Sequence, residues 1–180
     1  MKRREFIKIA GLLGAGMSVP FLWQHWSEVK ALVGPDMDEQ WETIERVQAF
    51  LLPEEPDSPG AGSINALPHL QWTLLDPNFD TDIKDAIVEG YQTFARNCLE
   101  QTGQKFTDLS TERQFEFMQY AAGQRWGERW FSRLLTYIFE ALLGDPVYGI
   151  NPDGIGWQWL QHKPGAPRPT LKEKYDYASS

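Results

Sequence analysis

Residues 125–143 read RWGERWFSRLLTYIFEALL. Trp126, Trp130, Phe131, Leu134, Leu135, Ile138, Phe139, Leu142 and Leu143 recur there at separations of three and four, the period of an α-helix and not the alternation of a strand. The apolar face is broad, which suits a helix at the centre of a bundle. Gly144-Asp145-Pro146 ends it, because glycine closes a helix readily and proline cannot continue one.

Upstream the same period repeats. Asp36 or Asp38 can cap a helix to about Leu52, with Trp41, Ile44, Val47, Phe50 and Leu51 on one face and Pro53 as the stop. Residues 53–62, PEEPDSPGAG, hold three prolines and two glycines and are a loop. Ser63 to Leu75 is a shorter helix in which Pro68 is tolerable only near the first turn, and Asp76-Pro77 ends it. Thr81 to Gln101 carries Ile83, Ile87, Tyr91, Phe94 and Cys98 on one face and is closed by Gly103; Ser110 to Ala122 follows, and Gly123 interrupts it. Residues 145–170 mix glycine and proline with Tyr148, Trp157 and Trp159, and read as a long loop held by its aromatics. The expected fold is all-α: an irregular bundle of about five helices with long Pro/Gly-rich loops, occupying residues 36–170, with a polar tail at 171–180.

The 180 residues include 17 Lys+Arg, 25 Asp+Glu, 3 His and 1 Cys, are 42% hydrophobic, and carry a formal net charge of -8. That composition fits one globular domain. One cysteine excludes an internal disulfide, a Cys-rich zinc site and c-type haem attachment, and the acidity speaks against a nucleic-acid partner. The charge is unevenly placed. Residues 1–30 hold Lys2, Arg3, Arg4, Lys8 and Lys30 against Glu5 and Glu28, whereas residues 31–180 carry 12 basic and 23 acidic residues. Behind the basic start, Ile9–Trp23 is uncharged for 15 residues, short of the roughly 20 needed to span a bilayer. Basic and then apolar is the layout of an export signal. Lys2-Arg3-Arg4-Glu5-Phe6-Ile7-Lys8 resembles the twin-arginine (Tat) signal, with Arg3, Arg4, Phe6 and Lys8 as its key residues. Residues 1–30 are the signal segment. Cleavage near Gly14 to Ser18, cleavage after Ala31, and retention as a weak membrane anchor are its open alternatives.

Chemistry-bearing constellations are sparse. His25, His69 and His162 have no metal-ligand spacing. Cys98 has three readings: a buried small hydrophobe, an inter-subunit disulfide in an oxidising compartment, or a thiol nucleophile. Glu54, Glu55 and Asp57 cluster in one loop, and Asp145 and Asp153 lie in the other, with no spacing that marks an acid/base pair. The glycines from Gly149 to Gly156 lack the strand-turn-helix setting of a dinucleotide site. Tyr148, Trp157 and Trp159 are either partner-facing aromatics or pins that hold their loop to the core.

Four stretches together resemble one family: the twin-arginine start; Phe50-Leu51-Leu52-Pro53 followed by Asp57-Ser58-Pro59-Gly60-Ala61; the aromatic helix from Trp130 to Leu143; and the ending Asp145-Pro146-Val147-Tyr148-Gly149, Gly154-Ile155-Gly156-Trp157, Pro164-Gly165-Ala166-Pro167. The chain resembles the gluconate 2-dehydrogenase subunit 3 family over about residues 40–168. The resemblance implies a small, non-catalytic subunit of a membrane-associated complex, with no cofactor of its own. It further implies a large FAD-dependent partner of the glucose-methanol-choline type that oxidises a sugar or sugar acid, a multi-haem cytochrome c as a further subunit, and passage of the folded flavoprotein through the Tat translocon into the periplasm. Pro59, Gly60, Tyr148, Trp157 and Trp159 are the expected partner interface. The competing readings are a free-standing periplasmic enzyme using Asp57 or Asp145, and a module whose Tyr148, Trp157 and Trp159 stack on a sugar ring.

Overall fold

The computed structural model describes residues 36–76 and 78–170. The signal residues Arg3, Arg4, Phe6 and Lys8, the whole segment 1–30 and the tail 171–180 lie outside the described residues. Six α-helices and no strands occur among those described: α1 (Asp36–Leu51), α2 (Ala66–Leu75), α3 (Thr81–Thr102), α4 (Thr111–Ala122), α5 (Arg125–Leu143) and α6 (Ile155–Trp159), with single 3-10 turns at Phe106–Asp108, Pro146–Tyr148 and Pro152–Gly154. The chain is all-α, as its periodicity indicates.

The helix limits follow local chemistry. The Asp80 carboxylate accepts from the N–H groups of Asp82 (2.9 Å) and Ile83 (3.2 Å) at the start of α3, and Gly103, at φ 73°, closes it. The Ser110 hydroxyl accepts from the Arg113 N–H at the start of α4. Helix α2 begins three residues later than its sequence pattern suggests, because Asn65 takes a left-handed φ of 60° that no helix interior accommodates. Residues 145–170 are also more regular than a long loop, containing two 3-10 turns and α6.

Helix α5 packs against each of the other five. The main core gathers around Phe94 of α3, whose ring centre lies 5.0 Å from those of Phe106, Phe117 and Trp130. The first two contacts are edge-to-face, the arrangement aromatic quadrupoles favour. Trp130 is fully buried, and its indole N–H donates to the Ile87 carbonyl at 3.1 Å. Gly90 makes that reach feasible, since a Cβ there would stand 2.1 Å from Cδ1 of Trp130. Cys98 joins this core with no exposed surface, its Sγ 3.6 Å from the Gln104 carbonyl oxygen. A disulfide requires contact between two sulfurs. Of the three readings of Cys98 this placement favours the buried hydrophobe, since a bond to a partner's sulfur would require the core to open around it.

Candidate functional site

A second apolar cluster, Ala61, Ile64, Ala66, Ile138, Ala141, Leu142 and Ile150, lies at the C-terminal end of α5. Two proline/glycine-rich segments, 52–65 and 144–169, meet over it. In the first, the Glu54 carboxylate accepts from the Gly60 N–H at 2.7 Å and from the Ser63 hydroxyl. These bonds favour the charged form and hold its pKa below the usual carboxylate value, the Ser63 bond contributing most. The Ala61 N–H returns to the Leu52 carbonyl at 2.9 Å, which closes the loop.

Asn151 organises the second segment. It is fully buried in a left-handed conformation, φ 47°. Its amide nitrogen donates to the Gly144 carbonyl at the end of α5 (3.0 Å), and its amide oxygen accepts from the Gly156 N–H in α6 (2.7 Å). Its backbone N–H donates to Ile64 of the first segment (3.0 Å). One residue, through its side chain and its backbone, thus ties α5, α6 and the turn before α2 together. Asn65 adds a second tie, its amide donating to the Gly149 carbonyl at 2.9 Å. Gly156 permits the close seating of α6, because a Cβ would lie 2.2 Å from the Leu142 carbonyl oxygen.

Beyond α6 the chain folds back. The Trp157 indole N–H donates to the Leu143 carbonyl at 2.7 Å, and the Arg168 guanidinium lies 4.9 Å over its ring. Arg168 also donates to both oxygens of Asp145, at 2.9 and 3.1 Å. That fork, together with the Val147 N–H, keeps the Asp145 carboxyl below its ordinary pKa despite partial desolvation. An open groove of about 370 Å³ runs here between Leu143, Asp145, Trp157 and His162 on one side and residues 164–169 on the other.

The expected interface residues therefore divide. Pro59 and Gly60 are buried, and Trp157 is 8% exposed, so these three face inward: Gly60 serves Glu54, and Trp157 pins α6 to α5. Tyr148 (48% exposed) and Trp159 (41%) face solvent, joined by Leu143 and Leu160. A three-ring sugar platform is not formed, because Arg168 covers Trp157. Asp145 is also a poor general acid, since a catalytic acid needs a raised pKa and its Arg168 partner lowers this one. Asp57 is exposed on its loop, and His69 pairs with Glu140 at 3.1 Å. Among the described residues no group of three or more His, Cys, Asp or Glu is placed to hold a metal ion, and no helix is long and apolar enough to cross a membrane.

Asn151 and Arg168 are organising residues that sequence reasoning passed over, and Glu54, noted there only as one of a loop's carboxylates, is a third. The only local sign of the first was an asparagine before proline in a glycine-rich stretch, a frequent turn signal. The other two act through partners 23 and up to nine residues away.

No curated protein and no solved structure matches the chain. The family model described as gluconate 2-dehydrogenase subunit 3 matches residues 38–165, which spans α1 to α6 and both loop segments except the last few residues of the second. The chain belongs to the gluconate 2-dehydrogenase subunit 3 family.

Proposed function

We propose that this member of the gluconate 2-dehydrogenase subunit 3 family is a non-catalytic subunit that binds an FAD-dependent dehydrogenase of the glucose-methanol-choline type and escorts it, folded, through the Tat pathway to the periplasm. The observation that carries the reading is the joining of two parts in one chain: the Arg3-Arg4 start and a family domain over residues 38–165. Tat carries proteins already folded, so a cofactor loaded in the cytoplasm crosses with its protein. The flavin belongs to the partner, and the sugar or sugar-acid substrate is set there. A multi-haem cytochrome c is the further member of the assembly, which associates with the inner membrane.

The loop end of the domain suits that role. Asn151, Asn65 and the Asp145–Arg168 fork hold Tyr148 and Trp159 outward on a cross-tied base. Aromatic side chains presented without further ordering make effective interface anchors, because little entropy remains to be lost on binding.

The test is export. Changing Arg3 and Arg4 together to Lys should leave the flavoprotein in the cytoplasm and abolish periplasmic dehydrogenase activity, measured with an artificial electron acceptor. If the flavoprotein reaches the periplasm and stays active in cells lacking this chain, the escort reading fails.

A further inference from the structure

We infer that the outward face of α5 is the docking surface for the partner subunit, and that the partner presents a carboxylate cluster beside an apolar socket. The inference rests on the proposed function and adds which face is used and what chemistry meets it.

At 100° per residue, Arg125, Ser132, Thr136, Phe139 and Leu143 share one sector of about 60°, opposite the buried line of Gly127, Leu134, Ile138 and Ala141. All five are exposed, Phe139 by 51% and Leu143 by 45%. Among the described residues, helix α5 is thus the hub of the bundle on one side and uncovered on the other. Its uncovered side is graded along its length. The first half carries Arg125 and Arg129, half-exposed Arg133 on the flank at the same spacing of four, and one carboxylate, Glu128; the middle carries the small hydroxyls Ser132 and Thr136; the last turns carry Phe139 and Leu143. Leu143 also borders the groove beside Trp157, so the face runs on into the loop end.

The arginines are the unusual part. Residues 31–180 have 12 basic and 23 acidic residues, yet three of the basic ones line up here, and none has a carboxylate within 4.0 Å among the described residues. Like charges four apart weaken a helix, and cations near its N-terminus oppose its dipole. Such an arrangement works against the isolated domain and is relieved by anionic groups from outside.

The geometry favours a protein as the source of those groups. From Arg125 to Leu143 the face is about 27 Å long at 1.5 Å per residue, close to the width of a standard interface patch of roughly 800 Å² per partner. A helix lying on a bilayer needs an apolar sector along its whole length, and here the apolar part is confined to the last turns. Two copies meeting through this same face offer poor complementarity: Glu140 is already held by His69, and Glu128 lies within the basic half itself.

The full-length chain is tested in its own host, with the photo-crosslinker p-benzoylphenylalanine at Thr136 and, separately, at Gln92 on the exposed side of α3. The expected product is a cross-link from position 136, and not from 92, to a flavin-containing oxidoreductase, at a peptide rich in Asp or Glu. R129E/R133E should lower the flavin co-purified per chain about tenfold or more, with the thermal midpoint of the free chain not lowered, and R129K/R133K should retain most of it. Cross-links from 92 alone to the flavoprotein overturn the face while leaving the proposed function standing. Linkage of 136 to a second copy, or binding to phosphatidylglycerol vesicles that R129E/R133E abolishes while flavin is retained, also overturns it. If no flavoprotein is captured at either position while flavin still co-purifies with the wild-type chain, the face is overturned and the proposed function stands; if no flavin co-purifies with the wild-type chain, both fall.

Discussion

Replacing Asn151 by alanine should destabilise the domain by about 3–4 kcal/mol. Three contributions build the figure. The Gly156 N–H is buried and donates only to the Asn151 amide oxygen at 2.7 Å; orphaned, it costs roughly 1–3 kcal/mol. The Gly144 carbonyl loses its bond to the amide nitrogen, a partly buried interaction worth about 0.5–1.5 kcal/mol. Alanine must also hold a φ of 47°, which asparagine tolerates better by up to roughly 1 kcal/mol. In a folded unit of this size the thermal midpoint should fall by about 10 °C or more. Urea unfolding followed by circular dichroism gives the global value, and tryptophan emission reports on the environment of Trp157. Asn151→Asp is a second probe: it keeps an acceptor for Gly156 but turns an anionic oxygen toward the Gly144 carbonyl, so it should be destabilised at neutral pH as well. Stability of the alanine variant within about 0.5 kcal/mol of wild type would refute the reasoning, because both bonds would then contribute almost nothing.

Two further predictions follow from the same kind of geometry. Gly90→Ala raises helix propensity by about 1 kcal/mol, yet should destabilise by roughly 1–3 kcal/mol net, because the new Cβ lands 2.1 Å from Trp130 and displaces an indole bonded to Ile87; a variant as stable as wild type in thermal unfolding would show that the core yields without strain. Glu54 and Asp145 both have carboxyl pKa values lowered in the folded chain, so their contribution is present above the ordinary carboxylate range and is lost as pH falls below it through the folded values. Asp145→Asn should therefore flatten the acid limb of the stability profile, read from tryptophan emission against pH, and an unchanged limb would rule out the Asp145–Arg168 fork as its source.

The first five helices were legible because each carries its own instructions. Asp80, Ser110 and Gly103 cap locally, and the apolar spacing of 125–143 needs no tertiary context. What sequence reading missed depends on long-range partners. Asn65 shortens α2 by reaching Gly149, 84 residues away. Trp157 and Trp159 have similar neighbours, yet one is bonded inward to Leu143 and the other is exposed, since residues two apart on a helix point to different sides. Pro59 and Gly60 resemble surface turn residues, but the carboxylate of Glu54 draws their loop over the second apolar cluster. Composition supplies the residues of such a site; only the packing decides which of them face outward.

The position of α5 also governs the order in which the molecule can form. Its nineteen residues emerge from synthesis after α1 to α4, and the aromatic surroundings of Phe94 are incomplete until Trp130 and Phe131 arrive. The aromatic core around Phe94 therefore closes only once most of the chain has been made. On the proposed export route, which takes folded cargo, this would couple completion of the chain to readiness for departure.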